Sequence, residues 1–90
     1  MTVTAFAIHE IADYDAWRIV YDASEPLRPA GHVLSHSVHR LEGSPNTIMV
    51  VHQFPSAHDA HAFWESPDLL AAMRESGVTA IPRIEYFLDT

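Results

Sequence analysis

Seven of the ninety residues are histidines: His9, His32, His36, His39, His52, His58 and His61. Imidazole is the side chain whose ordinary pKa lets it change charge near neutral pH. A chain this rich in it is equipped for proton transfer, for polarising a substrate or for holding a metal. Strand register singles out one pair. His32 to Leu41 reads as a strand with Leu34, His36 and Val38 on one face and Val33, Ser35, Ser37 and His39 on the other. Glu42-Gly-Ser-Pro-Asn46 is a run of turn residues, and Thr47 to Phe54 is the returning strand. If Val38 faces Val50, then His36 faces His52, on a wall shared with Ile48 and Phe54. Two imidazoles on an apolar wall have their pKa values depressed or split, which suits a general base with a polarising partner. They could equally be core histidines bonded to backbone or to each other, and a slip of one residue would separate them.

Other residues could complete a site. Trp17, Tyr21, Phe63, Trp64 and Tyr86 could line an apolar cavity or simply fill the core. Tyr21 and Trp64 carry polar tips that need partners when buried. Arg28 could hold a substrate carboxylate or phenolate, or pair with Glu25 at the surface. His9 ends the first strand and could reach the pocket or sit at its rim, with the rim expected. The expected candidates are therefore His36 and His52 for catalysis, and Trp17, Tyr21, Arg28, Trp64, Tyr86 and His9 for binding. His58 and His61 are three apart on one helix, a spacing found in metal sites, but no Glu-x-x-His pattern accompanies them. A polar helix face is the expectation there, and no metal is assigned. His39 is expected to be solvated or dimer-facing, and His32 to have no special role. The Ser35-His36 and Ser37-x-His39 pairs lie along one strand and point wrongly for a nucleophile triad.

Composition removes whole classes of chemistry. There is no cysteine, hence no disulfide, thiolate nucleophile or thiolate metal site. There is no lysine, hence no Schiff base. The three glycines are isolated and form no phosphate-binding loop. No cofactor is expected. A formal charge of -7 with scattered arginines does not suit nucleic acid or an anionic membrane. No apolar run reaches the ~20 residues of a membrane span. Met1 to Glu10 has no signal-peptide pattern, and with the lack of cysteine this leads to the expectation of a cytoplasmic protein.

The elements that must position these residues follow from periodicity. Thr2 to Glu10 is a buried strand. Asp13 caps a helix from Tyr14 to Ser24, with Trp17, Val20 and Tyr21 on one stripe, ended by Pro26 and Pro29. Ser56 caps a second helical region. It is interrupted at Ser66-Pro67, where a new helix starts, and is closed by Gly77. Ile81 to Leu88 is the last strand. The order β-α-β-β-α-β over residues 1–90 specifies a single α+β domain of ferredoxin-like type, a four-stranded antiparallel sheet with its helices on one face. The strand Thr47–Phe54 is apolar on both faces, so the uncovered sheet face is expected to meet a second copy in a homodimer.

This order, the length and particular runs resemble the dimeric α+β-barrel superfamily. That group includes small antibiotic-biosynthesis monooxygenase-like proteins and polyketide cyclases. The runs are Asp13-Tyr-Asp-Ala-Trp-Arg18, the Pro45-Asn46 turn, Ala60-His-Ala-Phe-Trp64, Ser66-Pro67 and the exit from Gly77 to Pro82. The resemblance implies a pocket between helices and sheet in each protomer, and catalysis often without metal or flavin. It implies a cofactor-independent monooxygenase, cyclase or isomerase of a small aromatic or polyketide-like compound. The alternative is a non-catalytic dimer of the same fold that binds a small ligand or serves as an accessory subunit. The two part on whether a mostly apolar cavity with converging polar tips exists, or whether Trp17 and Trp64 fill that volume.

Overall fold

The computed structural model describes all residues from Met1 to Thr90. The chain runs β1 (Val3–Glu10), α1 (Tyr14–Ala23), α2 (Leu27–Ala30), β2 (Ser35–Leu41), β3 (Ser44–Phe54), α3 (Ala57–Trp64), α4 (Pro67–Glu75) and β4 (Arg83–Leu88). The strands form one sheet in the order β2-β3-β1-β4, with every neighbouring pair antiparallel. This is the ferredoxin-like α+β fold. No helix is long and apolar enough to cross a membrane.

The helices begin where side chains can satisfy their free amides. Asp13 Oδ2 accepts from Ala16 N at 2.9 Å, Ser56 Oγ from Asp59 N at 3.2 Å, and Ser66 Oγ from Leu69 N at 3.2 Å. The interruption at Ser66-Pro67 separates α3 from α4, as expected from proline at a first helical position.

Four boundaries differ from the sequence expectation. Pro26 and Pro29 do not merely end α1; Pro26 caps the single turn α2 and Pro29 lies within it, because proline in the first turn of a helix costs no hydrogen bond. β2 begins at Ser35, since His32 takes φ +67° and Val33 N bonds back to Arg28 O. The hairpin closes earlier than expected, around Glu42-Gly43, with Gly43 at φ +83° and Leu41 facing Ser44. Pro45 and Asn46 therefore belong to β3. An irregularity at Arg40/Leu41 absorbs the proline, and Arg40 Nε donates to Pro45 O at 3.0 Å. At the other end Ile81 is 97% exposed and lies outside β4.

One sheet face is buried beneath the helices. It carries Val3, Ala5, Ala7 and His9 from β1 and Ile48, Val50, His52 and Phe54 from β3. The small Ala5 and Ala7 let Ala60, Phe63 and Trp64 of α3 pack close, forming one core cluster with Val3 and Phe54. A second cluster gathers Ile11, Trp17, Ile48 and Val50 under α1. The opposite sheet face holds Phe6, Ile8, Met49 and Val51, all half-buried, and Phe87, whose ring meets Phe6 edge-on at 5.2 Å.

Candidate functional site

A cavity opens where the two core clusters meet. Its sheet wall is Val50 and His52 of β3 with His9 of β1. Trp17 and Tyr21 of α1, Arg28 of α2, Trp64 of α3 and Met73 of α4 close the sides. About 50 Å³ is open to the centres of water molecules. At roughly 10–15 Å³ for one water, that is room for about four.

The hairpin register is the expected one: Val38 faces Val50 and His36 faces His52, with ring centroids 6.1 Å apart. Their environments nevertheless diverge. His52, on a central strand, is 2% exposed and is surrounded by the rings of Phe54, Phe63 and Trp64. Neither of its nitrogens has a hydrogen-bond partner. Loss of hydration pushes its pKa down to about 3, helped by His36, Arg28 and His9 nearby. His36 belongs to the edge strand β2 and is exposed. Its Nδ1 lies 2.7 Å from the Tyr21 hydroxyl. Its pKa is lowered by partial loss of hydration, then by the Arg28 and Arg18 charges. Tyr21, stacked on Trp17 at 4.9 Å, has its phenol pKa raised by burial, so it stays a proton donor at neutral pH.

His9 is 3% exposed and lines the cavity, which corrects the expectation of a rim position. The alternation of β1 turns its odd residues inward as far as His9, and the ring packs against Trp64 at 6.1 Å. Burial takes its pKa down to about 4. Arg28 is also buried, at 6% exposure, and makes no ion pair with Glu25. Its guanidinium lies 4.2 Å over the Tyr21 ring and donates to Tyr21 O at 3.1 Å.

Tyr86 is not part of the cavity. It lies on β4, separated from β3 by β1, and stacks on His61 at 3.9 Å. His58 and His61 join no group of three side chains able to hold a metal. His39, on the open face, pairs with Ser37 Oγ at 2.9 Å. His32 has a role the sequence did not suggest: its Nδ1 contacts Asp59 Oδ1 at 3.0 Å and ties the turn after α2 to α3. The cavity also includes Val20, Leu27 and Leu69, whose helical spacing signals an inward face but not a cavity.

A family model described as a domain of unknown function, DUF1330, matches residues 3–81. The chain belongs to the DUF1330 family. No curated protein matches it. Among solved structures, this DUF1330 protein is similar to one from Bordetella bronchiseptica assigned as an antibiotic biosynthesis monooxygenase. The identity is 12%, the TM-score 0.83, and the match covers 99% of this chain and 97% of that one. It is similar to SnoaB, a cofactor-independent oxygenase from Streptomyces nogalater, at 11% identity and TM-score 0.79, covering 99% and 93%. A protein of unknown function from Nitrosomonas europaea matches at 18% identity and TM-score 0.75, covering 96% and 86%. At these identities the likeness establishes a shared fold, and the cavity residues of the DUF1330 chain have to be read by their own chemistry.

Proposed function

We propose that this protein is a cofactor-independent enzyme of the monooxygenase or cyclase type. Its substrate is a small compound, a single aromatic ring or a short polyketide-like oxo chain, and the cavity histidines handle its proton. One observation carries this reading. The buried side-chain nitrogens without a partner are His9 Nδ1, Arg28 Nε, both nitrogens of His52 and Trp64 Nε1, and all four residues line the same cavity. Each such group costs about 1–3 kcal/mol when left unpaired, so a core selected for stability alone would not gather them.

The chemistry follows from their charge states. His52 is neutral and accepts a proton from an acidic O–H or C–H. The transfer leaves an imidazolium beside a new oxyanion, and that negative charge raises the basicity of His52 as the reaction proceeds. The unpaired Arg28 and Trp64 N–H groups on the same cavity support a site that stabilises negative charge on the substrate. The Tyr21 hydroxyl, bonded to exposed His36, links the cavity mouth to solvent for return of the proton. The substrate carbanion then either attacks a carbonyl of its own chain, the new alkoxide taking back the proton, or passes one electron to dissolved dioxygen; the radical and superoxide combine and take up the proton to give a hydroperoxide, which loses water to leave a carbonyl.

A pKa of about 3 makes His52 a weak base until an anion forms beside it, and this favours a second reading, a non-catalytic ligand-binding protein. Acetylacetone and small phenols in deuterated buffer separate the two. Proton NMR follows C–H exchange while an electrode follows oxygen uptake. The enzyme reading expects faster exchange or uptake with wild type and the buffer rate with His52→Gln. Probes that bind yet react at the buffer rate would make the protein a binding module. The half-exposed Phe6, Met49 and Val51 support a homodimer built through the open sheet face.

A further inference from the structure

We propose that the cavity is a site for a short-chain monocarboxylate, with Arg28 as its charge partner. This deepens, and rests on, the reading of the cavity as a small-molecule site.

Arg28 is the only buried cation of the chain, and no carboxylate oxygen lies within 4.0 Å of it. The ion pairs present are Arg18–Asp22, His32–Asp59 and Arg83–Glu85, so the nearby arginine already has its own partner. A buried arginine is ordinarily paired, because an uncompensated charge away from water is expensive. Here the guanidinium is held on one side by Tyr21 O and on its face by the Tyr21 ring, while Nε–H stays unused. Trp64 Nε1–H is a second unused buried donor on the same cavity. One cation and two N–H donors match one carboxylate.

The rest of the cavity defines what the carboxylate is attached to. Ser24 Oγ already donates to Val20 O at 2.8 Å and Ser76 Oγ to Met73 O at 2.7 Å, so neither hydroxyl asks for a ligand. Val20, Leu27, Val50, Leu69 and Met73 leave an apolar space. Room for about four water-sized groups fits a chain of two to five carbons. The neutral His9 and His52 accommodate one oxo or hydroxy group along it. A phosphate dianion would need more positive charge than one arginine supplies.

Full-length protein titrated with butyrate and with butyramide, followed by ¹H–¹⁵N NMR, tests this. Butyramide has the same shape without the charge. Butyrate is expected to bind saturably, to shift the Arg28 Nε–H and Trp64 Nε1–H signals, and to bind at least tenfold more tightly than butyramide. Arg28→Gln is expected to lose at least tenfold in butyrate affinity, with Arg28→Lys between. Equal binding of the two probes would overturn the proposal. So would butyrate binding that leaves both N–H signals in place, or inorganic phosphate binding as tightly as butyrate. Should Arg28→Gln fail to fold, the butyrate-to-butyramide ratio in wild type decides alone. Carboxylate binding without proton exchange would sink the catalytic reading and leave this one intact. Exchange on neutral probes with no preference for butyrate would do the reverse.

Discussion

His52 and His9 should make this protein acid-sensitive in a defined pH window. Folding lowers their pKa values from the usual 6.5 to about 3 and about 4. The unfolded chain therefore binds protons more tightly, and stability falls as pH drops below 6.5 toward those folded values. At pH 5 each residue is about 1.5 units below 6.5. At ~1.36 kcal/mol per unit, each costs about 2 kcal/mol relative to neutral pH. The pair removes about 4 kcal/mol, from a net stability of roughly 5–13 kcal/mol for a chain of this length. Asp59 and Asp89, whose carboxyls are held below their ordinary range by hydrogen bonds, titrate beneath this window. The perturbation is His52→Leu, which keeps approximate volume and removes the imidazole. His36, whose pKa is lowered by partial loss of hydration and by the Arg28 and Arg18 charges, adds to the loss in both proteins, so His52→Leu should reduce the loss between pH 7 and pH 5 by about 2 kcal/mol. It should also gain about 2–6 kcal/mol at pH 7 by deleting two unpaired nitrogens at about 1–3 kcal/mol each, read as a rise in Tm of roughly 4–8 °C per kcal/mol. The assay is urea unfolding followed by tryptophan fluorescence at both pH values, in carboxylate-free buffer so that ligand binding does not add to stability. Exposed His58→Leu is the control. A wild type equally stable at pH 7 and pH 5, or a His52→Leu protein that loses as much as wild type, would refute the assignment of His52 as a buried neutral imidazole.

Gly31→Ala should destabilise the protein by about 1–3 kcal/mol, because a Cβ there would stand 2.4 Å from Phe63 Cδ1 and force that buried ring to move; thermal melting reads it. Sedimentation at micromolar concentration should show a dimer for wild type and a monomer for Val51→Glu, which puts a charge in the middle of the open apolar face; a monomeric wild type would end the dimer proposal. Dialysis against EDTA should leave butyrate affinity and probe reactivity unchanged, since no group of three His, Asp or Glu side chains is arranged to hold a metal.

The legible part of the site was the part governed by strand alternation. Val38 and Val50 are β-branched cross-strand partners, and a turn containing glycine brought them together, so His52 followed from register. What alternation does not contain is the order of strands. Tyr86 faces the helix side opposite Ala5, as the pattern implied, but β4 sits on the far side of β1 and carries it away from β3. The two-sided apolar pattern of Thr47–Phe54 does suit the central strand it becomes, but the shared face of His36 and His52 does not show that only His52 lies on a strand flanked on both sides. Arg28 was among the binding candidates, but its burial was not legible. An arginine between two prolines reads as surface, and its burial depends on α2 forming a single turn and on Tyr21 offering it both a carbonyl and a ring.

The walls of the cavity are unequal, and that inequality bears on how a substrate enters. The sheet side is rigid: Val50 and His52 are buried within hydrogen-bonded β3, between β1 and β2. The α4 side is not. Leu69, Ala72 and Met73 line the cavity, yet no residue of Pro67–Glu75 is fully buried. A helix that buries little apolar surface gains little from its packing and can shift at small cost, whereas moving β3 would break a ladder. If a ligand larger than about four water-sized groups binds, α4 is the wall expected to move, and hydrogen exchange of Pro67–Glu75 amides should then change on binding while that of β3 does not. Substrate length in this protein should accordingly be governed by residues 69, 72 and 73, and recognition of the anion by Arg28.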